Sequence, residues 1–229
     1  NNVGEISFTF EVEAGTQNVA GSGSDELIDG VPFWTFPPNW NGSSEVQYNA
    51  PVETVDYGYG RAAHFNPIKF ASRLTKHEFL QLDMQSALEL LGFFLRRKGR
   101  RGEFLFQTGE SDIPYYALAG GSFSVLVDGE QFAYDFADNT VFRRVLFRRK
   151  NRNNFSRLID YLEPLPDTSS TAMWLTQPLP NSQIAPADMF GLSWCNVSRF
   201  ASDRLELEWV APNVARTAIQ LQSLENFEL

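Results

Sequence analysis

Hydrophobic positions in this chain follow two periods. Over residues 83–98, Met84, Ala87, Leu88, Leu91, Phe94 and Leu95 recur at i, i+3, i+4, i+7, i+10 and i+11. That is the spacing of one apolar helix face. Asp83 can cap the start and Gly99 can end it. Arg96, Arg97 and Lys98 fall in the last turn, where cations complement the helix dipole. Elsewhere the period is mostly two. Ile6, Phe8, Phe10 and Val12 alternate with Ser7, Thr9, Glu11 and Glu13, which predicts a strand over 5–13 with one wet face.

The same reasoning places strands at 45–57, interrupted at Pro51, and at 62–70, 73–82 and 103–106. Tyr57-Gly58-Tyr59-Gly60-Arg61 reads as a turn or bulge. Further strands are expected at 115–118, 122–127, 141–149, 204–209 and 214–224. Asp128-Gly129 is a two-residue hairpin signal, and the return strand would carry Phe132, Tyr134 and Phe136 on one face. Phe155, Leu158, Ile159 and Leu162 have helical spacing, so a short helix is expected over 154–162, stopped by Pro164 and Pro166. Residues 164–190 read as irregular, with a short strand at 172–175. Residues 14–30 are Gly-, Ser-, Asn- and Asp-rich and read as a long loop or arm. An aromatic cluster, Phe33, Trp34, Phe36 and Trp40, follows around Pro37 and Pro38, and this proline pair denies the segment a central strand.

The sum is a mainly antiparallel β protein, a sandwich or barrel, with one packed helix at about 83–98. Residues 1–110 plus 190–229 would form the main β domain. Residues 111–189 would be an insertion or a second, smaller β-rich domain.

The chain has 229 residues, 43% hydrophobic and 21% charged, values of a globular protein with a sizeable core. Twenty phenylalanines suit a sheet-rich fold. The net charge of −9 argues against a general nucleic-acid binder, although not against a channel through which DNA slides without sticking. Cys195 is the single cysteine, so there is no intrachain disulfide and no cysteine metal cluster. No apolar run reaches membrane-spanning length, and the first residues do not form a secretory signal. His64 and His77 are the only histidines and lack ligand spacing. Glu110 and Asp112 form a close acidic pair, read as a turn before Pro114. No nucleophile elbow or phosphate loop is present. The sequons at Asn41, Asn154 and Asn196 are explained by composition. The expectation is no enzyme, no metal and no cofactor.

Charge is unevenly placed. Residues 96–101 carry five cations in six positions, and Arg143, Arg144, Arg148 and Arg149 form a second basic group. In an acidic chain, such asymmetry suits head-to-tail association of unlike faces.

The order Tyr57-Gly58-Tyr59-Gly60-Arg61, two strands, helix 83–98 and Arg101-Gly102-Glu103-Phe104-Leu105-Phe106 resembles the tail-tube-derived β-sandwich of long-tailed phages, found in distal tail proteins and lambda-like minor tail proteins. The phrase VSRFASDRLELEW at 197–209 is similar to the same group. The resemblance covers roughly 46–110 and 190–225; 111–189 has no counterpart. It implies a structural protein of the virion, assembled in the host cytoplasm as a ring of six copies, or of three. The ring would join the tail tube protein to tail-tip hub or fibre proteins and enclose DNA without binding it specifically. No residue would be catalytic. The contact residues expected on this basis are Arg96, Arg97, Arg100 and Arg101 at the helix exit, and Phe33, Trp34, Phe36 and Trp40 in the aromatic segment. The alternative is a carbohydrate-binding β-sandwich module stacking sugars on Trp34 and Trp40. A hydrolase with a dispersed site, Glu110 or Asp112 beside His64, is least favoured.

Overall fold

A computed structural model describes residues 6–11, 25–39, 45–49, 53–57, 59, 62–65, 72–109, 111–118, 121–137, 142–151, 153–180 and 186–224. Trp40, Asn41, Gly58, Gly60, Glu110 and residues 14–24 of the expected arm lie outside them. In chain order, the first half holds β1 (Ile6–Glu11), β2 (Leu27–Ile28), β3 (Val31–Pro32), β4 (Glu45–Asn49), β5 (Glu53–Asp56), β6 (Ala62–Phe65), β7 (Ser72–Gln81), α1 (Met84–Arg96) and β8 (Glu103–Gln107). The second holds β9 (Tyr115–Leu118), β10 (Ser124–Asp128), α2 (Gln131–Phe136), β11 (Arg144–Arg149), β12 (Phe155–Leu165), β13 (Ser170–Leu175), β14 (Met189–Phe200), β15 (Arg204–Ala211) and β16 (Val214–Ser223). Among the described residues strands predominate, pairing is mainly antiparallel, and the sheets stay open rather than closing into a barrel.

The chain divides into two compact units. The first comprises Asn1–Asp25, Thr35–Glu103 and Ser198–Leu224; the second comprises Glu26–Trp34, Phe104–Val197 and Glu225–Leu229. The division differs from that expected: residues 26–34, 104–110 and 190–197 belong with the 111–189 block, and β14 contributes to both units.

In the first unit the strand order is β1, β15, β16, β7, β4, with the end of β14 also on β16. Ile219 lies opposite His77, Thr75 opposite Val46, and Leu207 opposite Phe8. Alternation is clean because one face is wet: Ala215, Thr217, Ile219 and Leu221 are buried, while Arg216, Ala218 and Gln220 are exposed. Helix α1 starts as its sequence predicts, with the Asp83 carboxylate accepting from the Ser86 backbone N–H at 2.7 Å. Its buried face is rotated from the expected one. Ala87, Leu90, Phe93 and Phe94 are buried, whereas Met84 and Leu88 are 46% and 52% exposed. The aromatic pair decides this: Phe94 and Phe93 meet Phe200 edge-on at 4.9 and 6.4 Å. Each such buried ring contributes roughly 1.5–3 kcal/mol.

The helix ends at Arg96, not at Gly99. Lys98 and Gly99 both take left-handed backbone, φ 53° and 60°, and a 3-10 turn, Gly99–Arg101, follows. A Cβ on Gly99 would sit 2.5 Å from Asp203 Oδ1, so this position requires glycine twice over, for φ and for space.

In the second unit the order is β9, β10, β13, β12, β11, β14, with β8 also on β14. Segment 26–34 runs beside β8 through a parallel bridge, Phe33 to Leu105. The core is built on Val125, Val145, Phe147, Met173, Leu192 and Trp194. Two expectations are overturned here. Residues 131–136 form helix α2, not a return strand: Phe132 and Phe136, four apart, both reach Trp194, at 5.7 and 5.1 Å, which only a helical turn permits. Residues 155–165 form strand β12, not a helix. The strand is bonded to β11 on one side and β13 on the other. A register shift between Ile159 and Tyr161 breaks the period of two and mimics helical spacing.

Candidate functional site

The basic helix exit is tied down within its own unit by two carboxylates. Asp25, 7% exposed at its side chain, takes both preceding arginines: Arg96 donates Nη2 to Oδ1 at 2.5 Å, and Arg97 donates Nη2 to Oδ2 at 2.8 Å. The Arg97 guanidinium also lies 5.6 Å from the centre of the Phe93 ring. These two arginines therefore hold the chain at Asp25 to the helix end.

Arg100 is locked differently. Its backbone N–H donates to Asp203 Oδ1 at 2.9 Å and its Nε to Oδ2 at 2.9 Å. The Arg100 backbone N–H, seconded by the Arg100 side chain and the charges of Arg100 and Arg101, holds the Asp203 carboxyl below the usual range. The turn is tight, since a Cβ on Gly102 would meet the Arg97 carbonyl oxygen at 2.5 Å. The Arg101 side chain stands exposed, with no bonded partner among the described residues.

This turn forms one wall of a cleft of about 510 Å³, whose lining includes Arg100, Arg101, Asp203, Arg199, Gln220 and Gln222. The opposite wall is a row across the sheet. Arg199 of β14 lies opposite Gln222 of β16, and Gln222 opposite Leu74 of β7; directly opposed residues share a face. Arg199 Nε donates to Gln222 Oε1 at 3.0 Å. The cleft thus gathers three guanidinium groups against one carboxylate.

The aromatic segment separates. Phe33 and Trp34 are 5% and 1% exposed. Trp34 stacks on Phe104 at 5.6 Å and donates its backbone N–H to the Leu105 carbonyl at 2.9 Å. As surface contact residues these two are corrected: they belong to the interior of the second unit. Phe36, half-buried in the first unit, meets Phe93 edge-on at 6.3 Å. Trp40 lies outside the described residues.

The second basic group is also dispersed. Arg144 is 8% exposed and donates Nη1 to Ser156 Oγ at 2.9 Å. Ser156 in turn donates Oγ to Asp29 Oδ2 at 2.6 Å. Arg148 covers the Phe190 ring at 5.9 Å.

Of the remaining candidates, Asp112 accepts from Thr108 Oγ1 and from the Trp194 backbone N–H, the bonding of a structural turn. His64 Nδ1 lies 3.0 Å from Thr54 Oγ1. Burial, aided by Arg73, pulls His77 down to about 4. Burial pushes the Cys195 thiol up to about 12, which removes it as a nucleophile at neutral pH. Among the described residues, no group of three or more His, Cys, Asp or Glu is placed to hold a metal, and no helix is long and apolar enough to cross a membrane.

Compared with known families and with curated proteins, the chain matches none. Sequence reasoning found Arg100 and Arg101 but missed Arg199, Gln222 and Asp203. Asp203 lies 103 residues from Arg100, and no local pattern links them.

Proposed function

We propose that this chain is a structural, non-enzymatic protein of a phage tail tip, forming a ring of six copies, or of three, at the distal end of the tail tube. In this reading it joins the tube protein to the hub or fibres, encloses DNA without binding it specifically, and resides in the virion after assembly in the host cytoplasm. The observation that carries the reading is an uncovered apolar run at the junction of β7 and α1. Leu80, Leu82, Met84 and Leu88 are 41%, 72%, 46% and 52% exposed. Successive exposed large apolar side chains of this kind mark association surfaces. They sit within the stretch that bears the resemblance to tail-tube-derived proteins.

Light scattering coupled to gel filtration across a concentration series tests this. The expected result is a discrete mass of six or three 25.9 kDa subunits, lost when Leu82 and Leu88 are both replaced by Asp. A monomer at every concentration counts against the ring.

The alternative, a carbohydrate-binding module, loses Trp34 to the interior. Its better support is the pair Tyr161 and Trp174, stacked at 5.6 Å with Tyr161 half exposed and Trp174 Nε1 donating to Glu163 Oε2 at 2.9 Å. Glycan binding abolished by Tyr161→Ala would favour this reading; absence of binding to any glycan would remove it.

A further inference from the structure

The cleft at the helix exit joins Arg199, which the tail reading does not use, to Arg100 and Arg101, which that reading expects at a subunit contact. Three guanidinium groups line it from two independent supports: Arg100 and Arg101 on the turn, and Arg199 on β14. Both Asp203 oxygens are already engaged by Arg100. In Arg100 and Arg199 the inner Nε is committed, to Asp203 and to Gln222 respectively. Their Nη groups make no bond among the described residues, and neither does the Arg101 side chain. The fixed ends of two arginines are therefore anchored while their forked donors remain to be filled.

Like charges gathered in a concave site, in a chain of net charge −9, repel one another unless an anion joins them. We infer that this cleft binds a small, multiply charged phosphate anion, of the pyrophosphate class. Planar guanidinium forks match phosphate oxygens in pairs, and more than one fork calls for more than one negative charge on the ligand. The cleft volume of about 510 Å³ falls in the ~300–1,000 Å³ range of small-molecule sites. The acidic balance of the whole chain disfavours a long polyanion, whose remaining phosphates would meet repulsive surface. This inference stands independently of ring formation.

Isothermal titration of the full chain with inorganic pyrophosphate at low salt is the test. The expected result is saturable binding, one anion per chain, weakening as sodium chloride is raised. Arg101→Gln and Arg199→Gln should each weaken it about tenfold or more, since each removes charge-assisted hydrogen bonds. Arg101 is exposed, so its variant keeps the fold even if Arg199→Gln does not. Arg143→Gln, which lies outside the cleft, should leave the affinity unchanged. No saturable binding, or binding unaltered in Arg101→Gln, would overturn the inference. Tighter binding of a short single-stranded oligonucleotide than of pyrophosphate would overturn the small-anion assignment.

Discussion

Arg144 of the second unit and the cleft arginines of the first are used in opposite ways. In the second, Arg144 is buried and committed through Ser156 to Asp29, so its charge serves the interior. In the first, Arg100, Arg101 and Arg199 are fixed at most at one end, with their remaining donors in an open cleft. Leaving a buried guanidinium wholly unpartnered costs several kcal/mol per ion, so Arg144 is held through Nη1 by Ser156, while its Nε makes no hydrogen bond among the described residues. A half-exposed one can keep donors in reserve because water serves them. The charge of Arg144 is therefore expected to read out as stability, and that of Arg101 and Arg199 as binding.

The largest effect should come from the second unit's core. Trp194→Ala removes a 5% exposed ring stacked on Phe132 and should cost about 3–5 kcal/mol in denaturant unfolding. Asp29→Ala comes next. It strands the Ser156 N–H and hydroxyl, which donate at 3.0 and 2.6 Å, and places alanine at φ 52°. The expected loss is about 2–3 kcal/mol. If Asp29→Ala costs no more than Asp203→Ala, the contrast between the units fails.

The third effect depends on pH. His77 of the first unit is held neutral by burial and by Arg73, at about 4 against an ordinary 6.5. Protonation therefore favours the unfolded chain. The contribution is fully present above about 6.5 and is lost as pH falls towards 4. NMR titration of the His77 ring should show the low midpoint, and His77→Gln should flatten the acid limb of the stability curve. Asp203→Ala should cost only about 0.5–1 kcal/mol, because its pair with Arg100 is 61% and 33% exposed at the two side chains. Arg101→Gln is the smallest, within about 0.5 kcal/mol of wild type in stability. Among these changes it should nonetheless have the largest effect on pyrophosphate affinity.

Legibility followed solvent contact. Strands β7, β15 and β16 and the capped start of α1 could be read because each has a wet face opposite a dry one, which writes its period into the chain. Strand β14 could not, because residues 191–198 are buried without a break and a strand covered on both faces shows no alternation. The two Asp-Gly dipeptides make the same point. Asp128-Gly129 carries the stronger hairpin pattern, yet only Gly129 has positive φ and the chain enters α2. Asp29-Gly30, inside the segment read as an arm, has φ 52° and 82° and makes the two-residue turn between β2 and β3. Of the cleft, Arg100 and Arg101 were visible as a basic run; its far wall was not.

By itself the sequence determined a mainly antiparallel β protein, the place and cap of its main helix, and where positive charge accumulates. These follow from local periodicity and composition, which neighbouring residues share. Only the tertiary structure decided that 131–136 coils around Trp194 while 155–165 extends, and that Phe33 and Trp34 are interior. It alone decided that Asp25 and Asp203 claim three of the four exit arginines, and that Arg199 completes a cleft with the rest. Each of these depends on a partner distant in the chain, and short segments with ambiguous periods take the conformation that buries their large side chains and bonds their backbone best.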